Sequence, residues 1–155
     1  MVRQFIEEMI PFHRFLGLKV DHLEPGLARL KLPFRPEFVG DPFRPALHGG
    51  VLSTLLDTVG GMAVFTRLPW GDRASTVDMR VDYLRPGLNE DLVAEGRVER
   101  LGNRVGVTEM RVFHPGHEAE PVATGRGVYN IRRSDQGGEG PVPDSSGLPE
   151  GLPGA

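Results

Sequence analysis

Between Leu47 and Leu68 the chain reads LHGGVLSTLLDTVGGMAVFTRL, and the residues best suited to chemistry lie within it: His48, Gly49, Gly50 and Asp57. Apolar residues take up most of the circumference of the helix this stretch predicts, which marks a buried helix. One stripe interrupts them. Gly50, Ser53, Thr54, Asp57, Thr58 and Gly61 recur at spacings of three and four and so share a face. Asp57 is the only ionisable group in the helix interior before Arg67. A carboxylate in such a setting is costly unless it is paired, hydrogen-bonded or protonated. At the helix start, Gly49 and Gly50 leave amide donors with no side chains above them, and the helix dipole favours negative charge there. A histidine, bare amides and a carboxylate are the parts for polarising a carbonyl and delivering water to it. The same residues also fit a plainer pattern: the wet side of an amphipathic helix, a capping His48 and glycine punctuation. Gly60 and Gly61 each cost about 1 kcal/mol against Ala inside a helix, which predicts close approach by another backbone.

The surrounding chain must hold that helix. Residues 2–15 suggest a short helix with Phe5, Met9 and Phe12 on one face and Pro11 breaking it; His13 reads as a surface or packing residue. Leu16 to Val20, extended by Asp21-His22-Leu23, reads as a strand ending at the Pro25-Gly26 turn. Leu27 to Phe34 alternates and completes a hairpin. Arg35 to Ala46 is a proline-rich loop leading to the helix. After the helix, Pro69 to Asp72 is a turn. Ser75 to Leu84 then alternates, with Val77, Met79, Val81 and Tyr83 on one face and Thr76, Asp78, Arg80 and Asp82 on the other. Leu92–Leu101, Val105–Phe113 and Pro121–Ile131 are three further strands. His114 and His117 lie in a Pro-Gly turn with no third ligand in view, so no metal is expected. The fold class this predicts is α+β: about six antiparallel strands wrapped round one long helix, the last four in meander-like order. The domain spans 1–133. Residues 134–155 are rich in Gly and Pro and poor in apolar side chains, which predicts a disordered tail.

At 155 residues the chain is one domain with room for a real core. A net charge of −3 argues against nucleic acid as a partner. The absence of cysteine excludes a disulfide framework, a Cys-ligated metal and a Cys nucleophile. The N-terminus carries two glutamates in its apolar region and no small-residue cleavage site, unlike a secretory signal, and no apolar run is long and clean enough to span a bilayer. A cytoplasmic protein without a membrane partner is the expectation.

HGGVLSTLLDTVGGMA (His48 to Ala63), followed by STVDMRVDYLRPG (Ser75 to Gly87), resembles the hotdog-fold acyl-CoA thioesterases, nearest to their PaaI-like and THEM2-like subgroup, over roughly Leu16 to Ile131. The resemblance implies a hotdog fold and hydrolysis of a small aryl- or short- to medium-chain acyl-CoA. It implies Asp57 as nucleophile or general base, the Gly49 amide as donor to the thioester oxygen with Gly50 beside it, and His48 as the residue positioning that loop. It implies a Thr76 hydroxyl, contributed across a dimer interface, orienting water. Family members commonly carry Asn or Gln shortly before His-Gly-Gly; here Val39-Gly40-Asp41-Pro42 offers only Asp41. Coenzyme A brings phosphates, so arginines at the rim matter; Arg85 and Arg104, with Asn103, are the candidates. No cofactor is implied, CoA being part of the substrate. The partner is a second copy, in homodimers with shared active sites that often pair again to tetramers. Two other readings remain beside this one. One is a non-catalytic acyl-CoA-binding or sensing protein, against which Asp57 argues. The other is a hotdog enoyl-CoA hydratase, suggested by Gly40-Asp41-Pro42 before His48 but opposed by the Gly-Gly that follows.

Overall fold

The computed structural model describes residues 2–134. Its centre is a 17-residue helix, α3 (Gly49–Phe65), lying on a six-stranded sheet. The strands are β1 (Lys19–Glu24), β2 (Leu27–Leu32), β3 (Arg73–Tyr83), β4 (Leu92–Leu101), β5 (Val105–Phe113) and β6 (Ala123–Arg132). All pairings are antiparallel, in the order β1-β2-β4-β5-β6-β3. This is the α+β hotdog arrangement.

The hairpin forms where alternation and turn chemistry agree. Ala28, Leu30 and Leu32 are buried under α3 while Arg29 and Lys31 point out. Gly26, at φ +86°, supplies a left-handed residue that a side chain would strain. The meander expectation holds for β4, β5 and β6 only. β3 crosses to the far edge and pairs with β6, and β2 becomes the other neighbour of β4. Burial accounts for the difference. The first five residues of β4 are buried, as suits a central strand, whereas β3 is mostly exposed, as suits an edge.

Leu52, Leu55, Leu56, Val59 and Ala63 of α3 pack on Ala28, Leu30, Ala94, Met110 and Val112 of the sheet. Close approach is real at Gly60, where a Cβ would run into Met110 Sδ, Tyr129 Oη and Thr108 Oγ1. Those neighbours are side chains. The backbone-to-backbone approach occurs instead at Gly96, where a Cβ would stand 2.7 Å from Val59 O. A Cβ at Gly61 would meet only Tyr129 Cε1, at an ordinary 3.6 Å, because Gly61 belongs to the open side of the helix. That open side is the stripe of Gly50, Ser53, Thr54, Asp57, Thr58 and Gly61, none of which is buried. The sheet therefore encloses α3 on one side and leaves the other uncovered.

The N-terminal segment is less regular than its sequence suggests. A short turn, α1 (Val2–Gln4), runs into a π-helical turn over Phe5–Met9, and α2 (Pro11–Leu16) begins at Pro11, where a missing N–H costs least. Ile10 is extended between them. This break rotates the buried face. Ile6, His13 and Leu16 turn inward, while Met9 and Phe12 are exposed. His13 is a packing residue, its Nδ1 3.0 Å from Ile6 O, and burial holds its imidazole below the ordinary value. Of the Gly/Pro-rich tail only Ser134 is among the described residues; its N–H donates to Asp72 Oδ1 at 2.9 Å. No helix among the described residues is long and apolar enough to cross a membrane.

Candidate active site

His48 is the N-cap of α3. Its backbone is extended (φ −64°, ψ 131°), and its Nδ1 accepts the Gly50 N–H at 2.9 Å. In the neutral ring the proton therefore sits on Nε2. A Cβ on Gly50 would stand 2.9 Å from that same Nδ1, so glycine is what lets the ring fold over the helix start. Three contacts fix His48. Its N–H donates to Phe38 O at 2.8 Å, the preceding Leu47 N–H donates to Gly87 O at 2.9 Å, and Gly40 packs so closely that a Cβ would lie 2.7 Å from His48 Cα. Of the two bare amides expected from sequence, only one remains bare. Gly50 is engaged by His48, whereas Gly49 N–H has no acceptor among the described residues. That donor stands at the positive end of the helix dipole.

Asp57 lies two turns further along, half-buried on the open stripe. Thr76 Oγ1 donates to its Oδ1 at 2.7 Å. No other side chain among the described residues bonds the carboxylate, and no cation pairs with it. Strict alternation had placed Thr76 on the opposite face from Met79, Val81 and Tyr83. A β-bulge corrects this. Thr76 pairs with Tyr129, Asp78 pairs with Val128, and Val77 is the extra residue between them, 66% exposed. The bulge turns Thr76 onto the helix face, a common use of bulges beside functional groups. Thr76 reaches the Asp57 of its own chain. Beneath, buried Tyr129 donates from its hydroxyl to Asp57 O at 3.2 Å and supports the helix at that turn. Burial, with the Asp57 charge nearby, pushes the Tyr129 phenol far up, so it stays a donor.

Beside the helix start lies a cavity of about 340 Å³. His48, Gly50, Val51, Thr54 and Leu55 form one wall, and Phe12, Phe15, Leu16 and Leu32 the other. Arg35, from the loop after β2, closes it with Glu37 and Phe38; its guanidinium lies 4.6 Å from the Phe38 ring and 5.4 Å from that of Phe15.

A bare amide at a helix N-terminus, a carboxylate held by a hydroxyl and an apolar cavity are the kinds of part that water attack on a carbonyl uses. Comparison with known proteins supplies the family. Residues 45–120 match the family model described as the thioesterase superfamily. The medium/long-chain acyl-CoA thioesterase YigI of Escherichia coli is 34% identical over 135 residues, 79% of this chain and 86% of that protein. A Halobacterium salinarum protein named provisionally as an esterase is 41% identical over 128 residues, 78% of this chain and 84% of that one. The chain belongs to the thioesterase superfamily. It is a thioester hydrolase. A solved Shewanella oneidensis structure related to the same superfamily superposes with a TM-score of 0.73 at 32% identity, covering 83% of this chain and 92% of that one.

Within this thioesterase the remaining candidates divide by position. Asp41 sits in the loop entering His48. Its Oδ1 accepts the Phe43 N–H at 2.9 Å and its Oδ2 the Arg44 Nε–H at 2.6 Å, which holds its carboxyl below the usual range. It organises its own turn. Arg85 follows β3 near the helix start and pairs with Glu120 at 3.5 Å in solvent. Asn103 and Arg104 lie at the other end of α3. Their turn packs beside Val64 through Gly106, and Arg133 Nε donates to Asn103 O at 3.0 Å. One chain therefore brings His48, Gly49, Gly50 and Arg85 to one end of the helix, Asp57 and Thr76 to its middle, and Asn103 and Arg104 to the far end.

Two contributors escaped sequence reasoning. The cavity wall of Phe12, Phe15, Arg35 and Phe38 draws on two separate segments, and periodicity groups Phe12 with Phe5 and Met9 rather than with these residues, so no sequence signal marks it. His114 was weighed only as a metal ligand. It is buried, with Nε2 accepting the Leu88 N–H at 3.0 Å and Nδ1 2.9 Å from Asp91 O. Both ring nitrogens are engaged in holding the loop whose Gly87 O anchors Leu47. No group of His, Asp and Glu among the described residues has the arrangement of a metal site.

Proposed function

We propose that this thioesterase hydrolyses acyl-CoA, releasing CoA and the free acid of a medium-chain or small aryl group housed in the cavity beside the start of α3. The observation that carries this reading is the Asp57 carboxylate. One of its oxygens is held by the neutral Thr76 hydroxyl at 2.7 Å, and no cation neutralises it. Oriented but unspent, it suits the role of general base better than a salt-bridged acid would. Asp57 takes a proton from water, and the oxygen of that water adds to the thioester carbon. The electron pair of the C=O moves onto oxygen, which meets the Gly49 N–H. Collapse re-forms the carbonyl, breaks the C–S bond and expels the thiolate, which takes the proton from Asp57. The relation to YigI supports acyl-CoA as the thioester. A cavity of about 340 Å³ falls at the lower end of ligand pockets, which run from about 300 to 1,000 Å³, and favours acyl groups of modest size.

The parts of one chain do not meet on one substrate. Eight residues of helix separate Gly49 from Asp57, about 12 Å at ~1.5 Å per residue. The reading therefore includes a second copy, whose Asp57 and Thr76 approach the Gly49 amide of the first across the open stripe of α3. β3 supports this, being an edge strand with Val77 exposed, as is Leu84 just beyond its end. The test follows free-thiol release from acyl-CoAs of graded length, aryl ones included, by the wild type and by Asp57→Asn. Turnover of medium-chain or aryl esters that disappears in Asp57→Asn upholds the reading. Tight binding without thiol release would assign the chain to sensing instead. Full activity of Asp57→Asn would remove the carboxylate from the mechanism.

A further inference from the structure

The reading above leaves the oxyanion with one main-chain donor, since His48 already holds the Gly50 N–H at 2.9 Å. Sites of this kind gain most when several fixed donors converge on the developing charge. A second donor stands beside Gly49. Tyr83 ends β3, and the register set by the bulge puts it opposite Ala123, on the helix face. A Cβ at Gly49 would lie 3.2 Å from Tyr83 Cε1, 3.5 Å from Cζ and 3.7 Å from the hydroxyl oxygen. The phenol edge thus borders the space that a side chain would fill at the residue whose amide is bare. Its hydroxyl has no partner among the described residues, and the side chain is 56% exposed, so the O–H is free to turn toward a ligand. The other tyrosine differs: Tyr129 is 1% exposed and its hydroxyl is engaged with Asp57 O at 3.2 Å.

Resting on the acyl-CoA hydrolase reading, we propose that Tyr83 is a catalytic residue, the second oxyanion donor, its O–H and the Gly49 N–H both donating to the thioester oxygen. As water adds and the carbonyl electron pair moves to oxygen, both donors shorten onto the new charge. When the C–S bond breaks they relax. Tyr83 keeps its proton throughout, and the proton balance between Asp57 and the departing thiolate is unchanged. Gly49 suits this arrangement for a second reason: a Cβ there would press on the phenol ring at 3.2 Å and shift it.

The experiment compares wild type, Tyr83→Phe, Tyr83→Ala and Asp57→Asn on one acyl-CoA that the wild type turns over, with Tm recorded for each. The ring of Tyr83→Phe keeps the wall and loses only the donor. The expected result is kcat lowered about 10- to 100-fold with KM within about twofold and Tm unchanged, and no higher kcat in Tyr83→Ala. Wild-type kcat in Tyr83→Phe would overturn the proposal, and so would a raised KM at unchanged kcat, since either makes Tyr83 a wall. A loss in Asp57→Asn alone leaves the hydrolase reading standing and removes Tyr83 from it. A wild type that turns over no acyl-CoA, or an Asp57→Asn variant that does so freely, would sink both together.

Discussion

Two carboxylates lie on opposite faces of this molecule, and their partners differ completely. Glu95, on the outer face of β4, is 3% exposed and ringed by Arg29 at 2.6 Å, Arg111 at 3.1 Å and Arg97 at 3.3 Å. Arg29 and Arg111 also lie over the Phe113 ring, at 5.8 and 5.1 Å. Burial alone would push the Glu95 carboxyl up; the arginines outweigh it and hold the group below the usual range. Asp57, on the open side of α3, has a single neutral hydroxyl at 2.7 Å. Glu95 has committed its lone pairs to guanidinium groups and has none to offer water. Asp57 has been aimed but left free. On the proposed reading, what fits Asp57 rather than Glu95 to act as a base is above all the identity of the partner: a neutral hydroxyl in place of three guanidinium groups.

That contrast makes measurable claims. The largest concerns Asp57→Asn, which should lower kcat for thiol release about a thousandfold, within the range for a lost general base, with the urea midpoint nearly unchanged. Glu95→Gln should do the reverse. It leaves three arginines around a neutral amide and should cost about 2 kcal/mol in urea unfolding while leaving kcat close to wild type. A Glu95 variant that lost turnover without losing stability would break the comparison. Thr76→Val keeps the shape and removes the hydroxyl; steady-state kinetics should show about a tenfold lower kcat, and Thr76→Ser should recover most of it. The smallest effect is on acid stability. The folded pKa of Glu95 lies below its unfolded value of 4.5, so its contribution is fully present above that pH and is lost as pH falls through the folded value. Urea midpoints measured from about pH 5 to about pH 3 should therefore fall less steeply for Glu95→Gln than for the wild type.

Much of this arrangement could be read from residue order, and the failures have definite causes. Helix α3 with its polar stripe and all six strands follow from period and turn chemistry, because each buries one face against one neighbour. The bulge at Val77 does not. Alternation is blind to one inserted residue, so periodicity sets Thr76 on the outer face, and the family resemblance gives it a water-orienting hydroxyl without saying which face carries it. The position of β3 failed for a related reason: meander order is the short connection, but burial of β4 and exposure of β3 decide which strand takes the middle. At the site, the residue types at His48, Gly49 and Asp57 were legible. The capping reading of His48 holds as well; that Gly50 is the amide it takes was not legible, since that depends on backbone angles at one residue.

The edge strand has one more effect, on the order of assembly. β4, β5 and β6 are joined by short connections and can pair as they are made. β3 must find β6 across β4 and β5, Arg73 opposite Arg132 and Tyr83 opposite Ala123, and β2 must find β4 across the helix and β3, Leu27 opposite Arg97. Such distant pairings form slowly because loop entropy is lost before any contact is gained. Thr76 and Tyr83 both ride on one of these distantly paired strands. Refolding chains should accordingly recover their circular dichroism first and thiol release afterwards, so that a half-assembled molecule is a compact but silent one.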